Sequence, residues 1–569
     1  MATAQDSRYD EIIASLTAHG AMFAVQTISI DGIELPMVAS APTNLAAFFE
    51  LTCTTHKDAL FIVDDARRLT YGEVYASARA LAGALIEGHT VKRGDRVGLA
   101  ARNSACWIVI YMAVLMAGGI VTELNGFWQG DELATAMSDT GVSLVFVDGP
   151  RARRLAQATT SHDAKIMVFD DSQSIESALA ESLALGGGAH TPLPTLTGDD
   201  LATILFTSGS TGKSKGAYSN HRQKVQATYN YIAQTVSLLT YVTEQNQAPK
   251  YPPSTLLNVP LFHITGEVTV LLQSFALGRK LIVIPKWDAR EAMRLIEAER
   301  VTYFTGVPLM SFEILTHPER ESFDLSSCQV FAAGGAARPK QHVKRLHDEM
   351  HGGEPIAGYG LTETNAVGCA TFGGSYLAKP DSTGRPSAPL VEIAILDDAG
   401  LPVPLGECGE ICIRSVANFI GYWENDEATT AAFTKDRFFR SGDIGRLDDE
   451  NYLYIVDRKK DIIIRGGENI TCLEVEAALY AQPMVTSACV FGLPDERFGE
   501  IPAAVVTIKR GESVTATELR NALGTHLAAY KVPAIIWISA TPLPVLGTGK
   551  IDKVTLRREY QALYAKGHA

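Results

Sequence analysis

Residues 106–122 carry no charged side chain, and this run constrains the fold more than any other stretch of the chain. It approaches the length of about 20 apolar residues that crosses a bilayer. It is interrupted, however, by Gly118-Gly119 and resumes with Ile120 and Val121 before the first charge at Glu123. The pattern predicts a core helix that turns into a buried strand rather than a membrane span. The 569 residues are enough for several units of roughly 150 residues each.

Helix and strand patterns alternate through most of the length, which indicates α/β layers. Residues 73–85 and 131–138 read as helices, and 96–100 and 141–147 as strands. Residues 186–198, rich in Gly, Pro and Thr, read as a linker before a strand at 202–206. After residue 460 the chain begins a shorter unit, with strands at 488–491 and 503–508 and a helix at 516–527. The expected fold is α/β. A large multi-layer N-terminal α/β body (1–459) precedes a small mobile C-terminal α+β domain (460–569), with the boundary at 458–461.

The net charge of −14 argues against a nucleic-acid binder, which needs a basic footprint. The eight cysteines form no C-x-x-C pair, so they read as reduced core thiols in a reducing compartment, including Cys408 and Cys412 on one alternating stretch. The N-terminus lacks the shape of a signal peptide, and the C-terminus is no peroxisomal address. A cytoplasmic protein without a transmembrane segment is expected. Oligomeric state is left open, a homodimer included.

The strand at 204–206 opens into Thr207, Ser208, Gly209, Ser210, Thr211, Gly212, Lys213, Ser214, Lys215 and Gly216. Small residues let a backbone wrap closely round a polyanion, hydroxyls and N–H groups donate to phosphate oxygens, and the lysines offset charge. A Walker A loop is excluded, because its first glycine falls on Thr207. Further on come Val330 to Ala337, containing Gly334, Gly335, Ala336 and Ala337, and then Gly358, Tyr359, Gly360, Leu361, Thr362 and Glu363. In that second segment Tyr359 offers an aromatic face for adenine, Thr362 a hydroxyl for phosphate, and Glu363 a carboxylate for Mg²⁺. Ser441-Gly-Asp443, the charged run 457–461 with Arg458 and Lys460, Gly466-Gly467 and Gly549-Lys550-Ile551 complete the series. Thr471 and Glu474 fit a capping box.

In this order the segments resemble the signatures of the adenylate-forming superfamily, which includes acyl-CoA synthetases, peptide-synthetase adenylation domains and firefly-type luciferases. The match covers residues of about 70 to 553. Ser214 departs from the family's usual proline, and Val545 and Leu546 from its usual basic and small polar residues. The resemblance implies ATP, Mg²⁺ and coenzyme A as ligands, with a small-molecule carboxylic acid as substrate. It implies that Thr207 to Gly212 and Lys215 hold phosphates, that Gly334 to Ala337 and Gly358 to Gly360 cradle adenine, and that Asp443 takes the ribose hydroxyls. Arg458 would reach the ribose or phosphates. Lys460 would be a hinge, and Gly466 and Gly467 would line the channel for the pantetheine arm. Thr207 and Glu363 are the expected metal residues. Lys550, Thr362, Glu363 and His263 form the expected catalytic set.

The implied activity is acid:CoA ligation through an acyl-adenylate. Histidine at 263, where amino-acid-adenylating relatives carry an aspartate, argues against an amino-acid substrate. Gly266, Gly306 and Gly358 are expected to leave room for an elongated or flat acid. A medium- or long-chain fatty acid, or another aliphatic acid, is the first expectation. The alternatives are an aryl or alkyl-aryl acid, or a carrier protein as acceptor. A luciferase-like oxidase and an inactive scaffold are the remaining classes.

Overall fold

The computed structural model describes residues 4–64, 67–207, 214–336, 338–350, 353–509, 511–546 and 549–566. The uncharged run is a helix, Ala105–Met116, with every residue buried. Ser104 caps it by accepting from the Trp107 N–H at 3.1 Å. Gly118 takes a positive φ of 82° to reverse the chain, and the fully buried strand Ile120–Glu123 follows. Among the described residues no helix is long and apolar enough to cross a membrane.

That strand lies inside a seven-stranded sheet, paired in parallel with Arg96–Ala100 on one side and Leu201–Thr207 on the other. A nine-stranded sheet contains Ser254–Leu257, Tyr303–Gly306, Val330–Gly334 and Glu354–Gly360. One apolar core joins the two sheets. Val121 and Leu205 of the first, Leu257 and Leu281 of the second, and helix residues such as Phe48, Leu81 and Trp107 belong to it together. A helix placed between two sheets has no solvent face, which is why 106–116 needs no polar stripe.

A four-stranded antiparallel sheet follows, from Glu392–Leu396 to Leu453–Arg458. The next strand, Ile463–Arg465, already belongs to a separate five-stranded sheet, whose long hairpin is Val485–Asp495 with Gly499–Ile508. Two apolar clusters, one around Val475 and Leu479 and one around Phe491 and Leu556, give this smaller unit its own core. The result is a large α/β body with a small C-terminal α+β domain.

Several local expectations change. The capping box at Thr471 is incomplete. Its hydroxyl meets the Glu474 side chain at 3.3 Å but accepts no helix amide, and the Cys472 N–H donates to Asp457. Cys408 is exposed, while the other seven cysteines are buried. Residues 186–198 are not a free linker, since Gly188 packs directly on helix Tyr71–Glu87 at Gly83. A Cβ at Gly83 would lie 2.0 Å from the Gly188 carbonyl oxygen.

This contact yields a test. Alanine at a helical glycine gains about 1 kcal/mol in propensity, but here the obstacle is backbone, and overpacking costs about 1–3 kcal/mol. Gly83→Ala is therefore expected to lower the thermal unfolding midpoint in calorimetry. An unchanged or raised midpoint would show that residues 186–188 yield freely.

Candidate active site

A cleft of about 3850 Å³ runs between the body and the C-terminal domain, lined by residues of both. Its floor is one face of the nine-stranded sheet. Thr305, Ala332 and Gly334 line it, while Phe304 and Phe331 point the other way into a separate apolar core. Period-two alternation along each strand produces this division.

Lys550 reaches the cleft from the C-terminal domain. Its loop closes through a bridge between Val545 and Ile551, with Gly549 at φ 79°. A side chain on Gly549 would meet Val307 of the body at 3.1 Å. The lysine tip lies over Gly335, where a Cβ would stand 2.7 Å from Cε and 3.1 Å from Nζ. Among the described residues no carboxylate forms an ion pair with Lys550. Burial, followed by the charge of Arg458, pulls the ammonium down to about 8. His263 is pulled down to about 3 by burial and then by Lys550. It is therefore neutral at ordinary pH and supplies no cation to the site.

Asp443 and Tyr359 meet beside this point. The Tyr359 hydroxyl donates to Asp443 Oδ2 at 2.7 Å, and Arg458 Nε lies 3.1 Å from Asp443 Oδ1. The Asp443 N–H is held by Ser441 Oγ at 3.0 Å. Tyr359 thus uses its hydroxyl to orient the carboxylate and keeps its ring toward the cleft. Gly358 is open, with only the Cys369 carbonyl oxygen 3.8 Å from a built Cβ.

Glu363 sits on a short 3-10 turn, Thr362–Thr364. It is buried, and Oε1 accepts from the Tyr422 hydroxyl at 2.9 Å. Burial raises its carboxyl above the usual range, and its backbone and Tyr422 hydrogen bonds oppose that. Lys215 Nζ lies over the Tyr422 ring, 4.9 Å from the centroid. Tyr422 was not expected from the sequence, because a lone aromatic in a loop has no periodic signature. It reaches the site through strand Gly421–Tyr422, which pairs with Lys215–Asn220 at Ala217.

The residues also suit a metal with polyphosphate. Among the described residues no cluster of three metal-ligating side chains exists. Mg²⁺ favours one or two carboxylates with phosphate oxygens and water, and Glu363 with Thr207 and Thr362 on the same cleft matches that donor set. Ser208, Gly209, Ser210, Thr211, Gly212 and Ala337 lie outside the described residues. Gly334 and Ala336 line the cleft with Gly335. Lys460 lines its edge and is exposed. Gly466 and Gly467 do not join this group. They form the exposed turn between Ile463–Arg465 and Glu468–Ile470, with φ of 59° and 91°.

Two of the three glycines expected to make room for the acid do another job. A Cβ at Gly266 would strike the Pro260 carbonyl oxygen at 2.1 Å, and one at Gly306 would strike Met310 Sδ at 2.9 Å. These two allow close packing, and only Gly358 leaves space. The segment after His263 is a π-helix, Thr265–Leu272, a form that recurs at functional sites. It is anchored by a fully buried ion pair between Lys224 Nζ and Glu267 Oε2 at 2.6 Å. The Tyr111 hydroxyl donates to Glu267 Oε1 at 2.7 Å.

The family model described as AMP-binding enzyme matches residues 49–423, and that of the AMP-binding enzyme C-terminal domain matches 474–550. The chain belongs to the AMP-binding enzyme family. The long-chain-fatty-acid–CoA ligase FadD13 of Mycobacterium tuberculosis is 33% identical over 88% of this chain and 94% of its own length. The feruloyl-CoA synthase of an Amycolatopsis species is 34% identical over 86% of this chain and 94% of that one. Among solved structures, a Mycobacterium tuberculosis fatty acyl CoA synthetase matches with TM-score 0.70 and 31% identity, covering 91% of this chain and 98% of that one. ATP-bound MatB of Rhodopseudomonas palustris matches with TM-score 0.80 and 26% identity, covering 92% and 100%. Within the family this chain is an AMP-forming acid–CoA ligase of the adenylate-forming superfamily, using ATP, Mg²⁺ and coenzyme A.

The depressed lysine sets a pH dependence for this ligase. The ammonium is present below pH 8 and lost above it, while His263, near 3, does not titrate between pH 5 and 9. kcat/KM for pyrophosphate release, which reports the free enzyme, is expected to fall along an alkaline limb with a midpoint near pH 8. In Lys550→Arg, whose guanidinium stays charged, any residual rate is expected to lack that limb. A limb that persists in Lys550→Arg would assign it to another group.

Proposed function

We propose that this ligase adenylates an aliphatic acid of medium or long chain and passes the acyl group to the thiol of coenzyme A. The observation that carries the reading is the Lys550 ammonium held against Gly335 in a cleft that Phe262, Ile264, Val307 and Ala332 also line. Those apolar side chains suit methylenes. A carboxylate oxygen of the acid attacks the α-phosphorus of ATP. The bond from phosphorus to the bridging oxygen breaks, and pyrophosphate leaves.

In this proposal Lys550 stabilises the negative charge that develops on the α-phosphate oxygens, where a pre-placed cation in a dry site acts most strongly. Mg²⁺ would be held by Glu363 with Thr207, and would supply neutralisation of the phosphate charge. Thr362, Lys215 and the 207–212 segment would bind phosphate oxygens. Gly334 to Ala337, with Gly358, Tyr359 and Gly360, would receive adenine, and Asp443, oriented by Tyr359, would accept both ribose hydroxyls. Arg458 would pair with the ribose or phosphates. His263, neutral, would position the carboxylate by hydrogen bonding.

In the second step the thiol loses its proton, sulfur attacks the acyl carbon, and AMP departs with the electrons of the broken C–O bond. Lys550 occupies the approach that the thiol needs. We therefore propose that the domains divide at 459/460, and that rotation about Lys460 withdraws Lys550 and brings Gly466 and Gly467 from their exposed turn to the cleft. Such domain gating often limits turnover.

Lys550→Ala is expected to reduce adenylation by at least about 10²- to 10³-fold, the scale of one lost electrostatic donor. Thioester formation from synthetic acyl-AMP should survive. Pyrophosphate release and acyl-CoA mass, followed separately, check this. Equal loss of both steps would remove Lys550 from the adenylation role.

A further inference from the structure

On the reading above, the reacting end of the acid lies beside Lys550 and Val307. The cavity continues from there along the strand Tyr303–Gly306, where Tyr303 and Thr305 line it. At about 3.3 Å per residue, Tyr303 stands about 13 Å from Val307. At that depth the wall carries a cation. Arg279 lines the cavity there and is only 4% exposed. Its guanidinium lies over the Tyr303 ring, 4.6 Å from the centroid. Nη1 donates to Gln273 Oε1 at 3.1 Å, and Gln273 is held in turn by Thr235 at 2.9 Å.

Every one of these partners is neutral. Among the described residues no carboxylate forms an ion pair with Arg279, and its Nε has no hydrogen-bond partner. Two other buried cations are matched by carboxylates. Lys224 faces Glu267 at 2.6 Å, and Arg151 faces Asp148 at 2.9 Å. Arg338, a further buried guanidinium without a carboxylate partner among the described residues, donates to two main-chain carbonyls, those of Phe331 and Ile356. A guanidinium does not shed its proton in a protein, so a buried one without an anion leaves a charge uncompensated. Its fork is shaped for a carboxylate.

We infer that Arg279 receives a second, anionic group on the acid, so that the substrate is an α,ω-dicarboxylic acid of medium chain length, activated at one end and held at the other. This rests on the reading of the cleft as the acid's channel. The stretch between Val307 and Tyr303, where Thr305 is flanked by Ala332, takes the methylenes, and the charged end takes the far carboxylate. Gln273, itself held by Thr235, fixes the guanidinium of this cavity-lining arginine.

The test compares matched pairs that differ only at the far end: decanoic with decanedioic acid, and octanoic with octanedioic acid. In the wild-type enzyme, kcat/KM for pyrophosphate release is expected to favour the diacid by at least about 10-fold, because a site built to bond a polar group rejects the analogue lacking it. Arg279→Met should reverse that ratio, and Arg279→Lys, which keeps charge but loses the fork, should fall between. Calorimetric titration of each acid in the presence of AMP reads binding without turnover. A wild-type enzyme that turns over and binds the monoacid in preference overturns the inference, whether or not the variants fold, and leaves the ligase reading intact. Diacid binding that disappears in Arg279→Met, with no pyrophosphate from any acid, would support the Arg279 site and sink the ligase reading.

Discussion

One buried ammonium, with no ion-pair partner among the described residues, is the constraint around which the cleft is arranged. Lys550 leaves water only because Gly335 presents no side chain to it and because Gly549 adopts a left-handed turn against Val307. Burial holds its proton more loosely than water would, so the lysine is poised to interact with added negative charge. The Gly466-Gly467 turn is exposed and does not line the cleft that Lys550 occupies.

The carboxylates around it are oriented by phenols rather than by cations alone. Tyr359 turns Asp443, and Tyr422 turns Glu363. A tyrosine hydroxyl fixes direction without neutralising charge, so each carboxylate stays available for a ligand. Tyr422 also carries Lys215 on its ring. It reaches both because its strand forms the edge of the sheet that bears the phosphate loop. Behind His263, the Lys224–Glu267 pair performs a comparable task with full charges, and burial pushes the neighbouring Glu123 carboxyl well above its usual range.

Much of this was legible where chemistry is local. The uncharged run became a buried helix and a buried strand, since hydrophobic composition and Gly118 decide that outcome within a few residues. The motif residues Glu363, Asp443 and Lys550 do share one cleft. Glycines were harder to read. Gly266 and Gly358 look alike in a sequence, yet one allows Pro260 to approach and the other opens space. What a missing Cβ would have touched depends on chain far away. The same limit applied to the helix after Thr471, whose first amide, that of Cys472, is taken by Asp457, fifteen residues earlier.

By itself the sequence determined the α/β class, the order of the nucleotide-binding segments and the kind of reaction they serve, because those depend on residue type and spacing along the chain. Only the tertiary structure decided that Lys550 is desolvated, that Tyr422 holds Glu363, and that Arg279 stands uncompensated at the far end of the cavity. Desolvation and ion pairing are set by neighbours in space. Arg279 is one arginine among many until it is seen that no carboxylate among the described residues pairs with it.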